Sequence, residues 1–177
     1  MSENMRNESP LALFILRHGE ATFQAHSDHQ RPLTSQGVNE AYAAGLALCE
    51  WINDLGLAQE LELIVSVSDA LRAIETWESV NQALIDSSLK VNKLDVCSEL
   101  YLAPSQKISD YILSKIHQET QADPHTPPHI KLFVLIGHNP GLSDLVYLLS
   151  SDFITLKTGA YTRLKPLDSS WARWAQC

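Results

Sequence analysis

The chain has 177 residues, 45% of them hydrophobic and 19% charged, with a formal net charge of −8. Such a length fits one domain with a proper core, and the composition is globular rather than disordered. The acidity argues against non-specific nucleic-acid binding, and no apolar run approaches the roughly 20 residues of a membrane-spanning helix.

Residues 1–10 are polar and mixed in charge, without the basic, apolar and small-residue order of a signal peptide. They are expected to form a flexible N-terminus ahead of a single domain over 11–177. Residues 11–16 (LALFIL) are a continuous apolar run, as in a strand buried on both faces, and Arg17, His18 and Gly19 follow at once. A helix is predicted over 35–52, capped by Thr34. Its buried face is expected to carry Val38, Tyr42, Gly45, Leu46, Cys49 and Ile52. Residues 63–67 (LIVSV) read as a second buried strand leading to Ser68. A helix over 70–85 is predicted to bury Leu71, Ile74, Trp77 and Leu84. A third helix is predicted over 106–119, with Ser105 as its cap and Ile108, Tyr111, Ile112 and Ile116 on one side. Residues 123–129 (DPHTPPH) form a proline-rich loop. Residues 132–136 (LFVLI) make a third strand, followed by Gly137 and His138. Pro140 suits the first position of a fourth helix that uses Leu142, Leu145, Val146 and Leu149. The tail over 158–175 is expected to add one or two edge strands, with Trp171 and Trp174 packed on the body.

Strands alternating with helices imply an α/β fold, a three-layer sandwich with a largely parallel central sheet and helices on both faces. Ligands of such sheets sit at the carboxyl ends of the strands. His18, Ser68 and His138 all follow strands at that end. Cys49, Cys97 and Cys177 are odd in number and widely spaced, which argues against a disulfide framework and for a reducing, cytoplasmic setting.

Two histidines at strand ends with arginines nearby can hold a phosphoryl group and attack its phosphorus. Phosphate oxygens carry about two negative charges near neutral pH, and the arginine fork matches them while staying charged. Arg17, Arg31 and Arg72 are placed for this, and the helix starting near Pro140 adds backbone N–H groups. Neutral His18 is the expected nucleophile, with neighbouring arginines disfavouring its protonation and a backbone carbonyl fixing its tautomer. His138 is expected to donate to the transferring oxygens. Arg31 has a second reading as a surface partner of Asp28. Asn139 either orients a substrate oxygen or belongs to a plain Asn-Pro-Gly turn. Thr76 lies four residues from Arg72 on the same face and reads as packing. Neither His26, Asp28 and His29 nor His125 and His129 make a strong metal-ligand motif, so no metal is expected. No cofactor is expected either, because the arginines supply the positive charge.

RHGEA after a strand, RPLTSQG at 31–37, S-x-x-x-R-x-x-x-T at 68–76 and GHNPG at 137–141, in this order, resemble the histidine phosphatase, or phosphoglycerate mutase-like, superfamily. Length and spacing resemble its SixA-type phosphohistidine phosphatase branch. The resemblance implies a phosphoglycerate mutase-like fold, a phosphohistidine intermediate on His18, and a phosphate pocket of Arg17, Arg72 and His138, with Arg31 lining it. Glu99 stands near the place where larger relatives carry a proton-donating glutamate. Asp28 matches an acidic loop position of the branch, and the proton donor is left open between these two. Glu20 resembles a variable acidic position and reads as tuning Arg17. Val67-Ser68-Asp69 departs from the Ser-Ser-Pro of many relatives, and Asp69 must point away from the phosphate, orient Arg72 or face solvent. The long insertions that cover small substrates in larger relatives are missing. The expected partner is therefore a phosphorylated protein, such as a phosphotransfer domain in signal transduction. The alternatives are a phosphomonoesterase of small phosphorylated molecules and a non-catalytic phosphate-recognition module.

Overall fold

The structure, a computed structural model, describes residues 11–55, 61–120, 130–166 and 174–177. Residues 1–10, the loop 123–129 with His125 and His129, and Trp171 lie outside them. The strands are β1 (Leu11–Arg17), β2 (Leu61–Ser68), β3 (Lys93–Cys97), β4 (Ile130–Gly137), β5 (Tyr161–Pro166) and β6 (Trp174–Gln176). The helices are α1 (Ser35–Asp54), α2 (Leu71–Asp86), α3 (Ser105–Thr120) and α4 (Gly141–Ser150). One sheet runs β3-β2-β4-β1-β5-β6. Its first four strands are parallel, and β5 and β6 are antiparallel additions.

The continuous apolar runs are explained by burial on both faces. Along β1, Leu11, Leu13 and Ile15 pack towards α3 and α4, while Ala12, Phe14 and Leu16 pack towards α1 and α2. β4 alternates in the same way, with Phe133 and Leu135 on the first side and Leu132, Val134 and Ile136 on the second. Thr34 caps α1 as expected, its side chain accepting from Gly37 N at 3.1 Å. The apolar face of α4 is the expected one.

Two helix faces differ from expectation. In α1, Val38 and Leu46 are exposed and Tyr42 is half-buried, while Ala41, Ala44, Leu48 and Ile52 are buried. A Cβ on Gly45 would stand 2.8 Å from Ala83 Cβ and 3.0 Å from Val80 Cα. Backbones this close admit only small residues along the seam, so the small face turns inward. In α2, Leu71 and Ile74 are half-buried, and the buried face instead carries Arg72 and Thr76 beside Ala73, Trp77 and Val80. Ser105 is the first residue of α3 rather than its cap. β3 has no counterpart in the sequence reading, because Leu94 and Val96 are exposed on an edge and no apolar run marks them. β5 lies inside the sheet, so only β6 forms the expected edge, with Trp174 buried on the body.

Candidate active site

Parallel pairing brings the two histidines together. Arg17 stands opposite Gly137 in the β1–β4 ladder, and His18 N donates to Gly137 O at 3.1 Å. His18 and His138 are thus the next residues on adjacent strands, with ring centroids 5.1 Å apart. The helix after β1 packs on one face and the helix after β4 on the other. Divergence of that kind opens a crevice at the strand ends.

The turn that carries His18 is pinned from two sides. A Cβ on Gly19 would lie 2.3 Å from Gly37 O, and one on Gly37 would lie 2.0 Å from Glu20 O. The glycines of RHG and RPLTSQG therefore meet backbone to backbone. Gly19 N donates to Thr76 Oγ1 at 3.0 Å, and Thr76 Oγ1 donates to Arg72 O at 2.6 Å. Thr76 therefore does more than pack, since it ties the His18 turn to α2.

His18 is 7% exposed. Arg72 Nε–H donates to its Nε2 at 3.2 Å, so the ring proton sits on Nδ1 and is donated to Gly19 O at 2.7 Å. The carbonyl expected to fix the tautomer is that of Gly19. Burial is the main cause that lowers the His18 pKa to about 4, with Arg72, Arg17 and Arg31 adding to it and the Gly19 carbonyl opposing it. The arginines thus contribute as expected, but burial contributes more. His138 is lowered to about 3 by burial first, then by His18 and Arg72. Its Nε2 lies 2.8 Å from Ser68 Oγ. His138 Nδ1 and Arg17 Nε are buried without a hydrogen-bond partner among the described residues. Both belong to residues that line one cavity of about 800 Å³. Buried polar atoms rarely go unpaired, and an oxyanion seated between these two would satisfy them.

The cations are held by oxygen acceptors. Arg17 Nη1 donates to Leu156 O at 2.9 Å. Arg72, 2% exposed, donates through Nη1 to Asp28 O at 2.6 Å and through Nη2 to Asp28 Oδ2 at 3.0 Å. Arg31 donates through Nε to Thr22 O at 2.6 Å, through Nη2 to Ala21 O at 3.3 Å and through Nη1 to Asp28 Oδ1 at 3.0 Å. Arg31 thus lines the cavity and also pairs with Asp28.

Asp28 joins the two guanidinium groups, and the Tyr101 hydroxyl donates to its Oδ2 at 2.7 Å. Tyr101, Arg31 and Arg72 hold the Asp28 carboxyl well below the usual carboxylate range. A carboxyl held ionised in this way is poorly suited to giving a proton, whereas its bonds to both guanidinium groups suit it to positioning them. Glu99 is exposed on the turn Ser98–Leu100 and is not among the residues lining the cavity. Tyr101, two residues on, reaches the site instead, with its ring edge-on to His138 at 5.5 Å. A single tyrosine carries no motif, so the sequence offered no signal for it.

Three further residues settle into structural roles. Asn139 donates through Nδ2 to Leu156 O at 2.7 Å, and its Oδ1 accepts from Ser143 N and Oγ. It lines the cavity and also holds the turn together, with one N–H of its amide engaged by Leu156 O and the second open to other partners. Glu20 Oε1 accepts from Thr34 Oγ1 at 2.8 Å, so it braces the start of α1 rather than tuning Arg17. Asp69 Oδ1 lies 3.0 Å from His29 Nε2 without a hydrogen bond between them, and the carboxylate thus faces His29 rather than Arg72. Among the described residues no group of three or more His, Cys, Asp or Glu is placed to hold a metal ion, and no helix is long and apolar enough to cross a membrane.

A sheet of this order, with a histidine-bearing turn after each of two adjacent central strands, defines an α/β protein of the phosphoglycerate mutase-like class. The structure of the protein histidine phosphatase SixA complexed with tungstate superposes with a TM-score of 0.70 at 25% identity, covering 94% of each chain. In sequence, the chain is 40% identical over 135 residues to the phosphohistidine phosphatase SixA homolog of Haemophilus influenzae, covering 76% of this chain and 74% of that protein. The chain belongs to the SixA family of the histidine phosphatase superfamily. It is also 31% identical over 161 residues to an uncharacterised chloroplastic protein of Arabidopsis thaliana, covering 90% of this chain and 68% of that one. No family model matches the chain.

Proposed function

We propose that the protein is a phosphohistidine phosphatase whose nucleophile is Nε2 of His18. The observation that carries this reading is the meeting of two uncharged, buried imidazoles at one wall of a cavity lined by Arg17, Arg31 and Arg72. The His18 lone pair forms a bond to phosphorus as the bond from phosphorus to the substrate imidazole nitrogen breaks. Arg72 gives up its hydrogen bond to Nε2 as this happens. Arg17, Arg31 and Arg72 balance the charge of the phosphoryl oxygens, and His138 donates to one of them through Nδ1 while Ser68 engages Nε2. Water then attacks the phosphohistidine, releasing inorganic phosphate and restoring His18. A substrate imidazole already protonated on its second nitrogen departs as the neutral ring. It therefore makes no demand on Asp28, which the cavity keeps ionised.

A single domain over 11–177 performs this reaction without metal or organic cofactor. Its substrate is a phosphorylated protein, a histidine-phosphorylated phosphotransfer domain of a signalling pathway. The free thiols of Cys49, Cys97 and Cys177 suit a reducing cytoplasm. His18→Ala is expected to lower phosphate release from such a domain by at least about a thousandfold. Radiolabelled phosphoryl trapped at alkaline pH should appear on the unaltered protein and be missing from the variant. Label at another residue, or turnover surviving in His18→Ala, would refute the assignment.

A further inference from the structure

Two large apolar side chains stand exposed at the margin of the cavity. Phe23, on the loop after β1, is 88% exposed, and Leu102, on the loop after β3, is 53% exposed. Both line the cavity that holds His18 and Arg72. Their positions are specified. The Arg31 guanidinium lies 4.5 Å from the Phe23 ring centroid, so a cation of the cavity wall also supports the rim. Leu102 has φ +46, a left-handed conformation that a leucine rarely adopts, and such outliers cluster where binding is done. Next to it, Tyr101 is tied to Asp28.

We infer that Phe23 and Leu102 are specificity-determining residues that clamp the protein surface around the phosphorylated side chain, so that the enzyme selects phosphohistidine borne on a folded protein with apolar neighbours. This deepens the phosphatase reading and rests on it. The floor of the cavity is buried, with His18 and His138 only 7% and 3% exposed. A phosphorylated side chain that reaches His18 leaves its own backbone at the rim. A small phosphorylated compound seated on the floor would cover at most the inward edge of Phe23. Covering a ring that is 88% exposed takes a surface extending past the mouth. The guanidinium groups of Arg17, Arg31 and Arg72 line the cavity itself, where a phosphoryl group would enter. The rim and the floor are one continuous surface joined through Arg31.

The test compares two probes, a histidine-phosphorylated phosphotransfer domain and free phosphohistidine. Phe23→Ser and Leu102→Asn should each raise KM for the domain about tenfold, an ordinary contact-residue effect, with kcat unchanged. Asparagine accepts the left-handed conformation, so Leu102→Asn leaves the loop intact. Turnover of free phosphohistidine should stay within twofold of the unaltered protein, because Arg31 keeps its bonds to Thr22 O, Ala21 O and Asp28. Phe23→Leu should recover most of the loss. Equal losses on both probes, losses on the small probe alone, or no loss on either would overturn the clamp. An unaltered protein that hydrolyses neither probe would instead refute the phosphatase reading beneath it.

Discussion

Two histidines kept neutral inside the protein alter its stability as well as its chemistry. An unfolded chain protonates them near the ordinary 6.5, whereas the native protein resists until about 4 at His18 and about 3 at His138. Between these values the unfolded state binds more protons, so stability rises with pH and is lost as pH falls below about 6.5. The limiting slope is about 1.4 kcal/mol per pH unit for each histidine. Urea midpoints should therefore fall steadily from pH 7 to 4.5, and His138→Gln should remove about half of the slope. A flat profile across that range would contradict the buried neutral imidazoles. Asp28 shows how spacing can place a single residue without revealing its electrostatic partners. Its position in the site was legible three residues before Arg31, but the spacing cannot show that Arg72 and Tyr101 arrive from far along the chain to keep it ionised. Tyr101 was illegible as a site residue for the same reason, and Thr76 was legible in the motif at 68–76 but not as the tie between the His18 turn and α2. Each works through one hydrogen bond to a residue distant in sequence.

Elements were read well where a local signal defines them and poorly where a neighbour does. The apolar runs of β1, β2 and β4 and the Thr34 cap depend on the segment alone. The buried face of α1 depends on how near α2 comes, and large residues at 38, 42 and 46 drew attention from the alanines that lie in the seam. At Gly45 an added Cβ would come within 2.8 Å of Ala83 Cβ on α2. Gly45→Val would gain a few tenths of a kcal/mol in helix propensity. It would also force a branched side chain against Ala83 and the Val80 backbone, an overpacking cost of about 1–3 kcal/mol. The net expectation is a loss of about 1–2 kcal/mol, or roughly 2–8 °C in Tm by calorimetry. Leu46→Ala, on the exposed side of the same helix, should stay within about 0.5 kcal/mol. Equal effects at the two positions would mean that the seam is not where the structure puts it. β3 escaped the sequence reading because an edge strand needs little apolar surface, and nothing local distinguishes Lys93–Cys97 from a loop.

Over the whole molecule, the strand order could not be read from the sequence. β4 inserts between β1 and β2, a choice made by long-range packing. The convergence of His18, Ser68 and His138 was legible all the same, because parallel strands share one end whatever their order. A site assembled from three strand ends and α2 couples its ligand to global unfolding. Inorganic phosphate or tungstate at about one hundred times Kd should stabilise the fold by about 2.7 kcal/mol, a rise of roughly 5–10 °C in Tm. Arg72→Ala should abolish the rise measured against its own ligand-free Tm, and a full rise in that variant would remove Arg72 from the anion site. The acceptor for the His18 proton, finally, is a peptide carbonyl, which every residue type possesses. Substitutions accumulating across generations can remodel the rim, the helices and even the cations, yet none of them deletes that oxygen. Mutation reaches the tautomer of the nucleophile only indirectly, by displacing the Gly19–Gly37 turn that aims this oxygen or by removing the Arg72 donor on the other ring nitrogen.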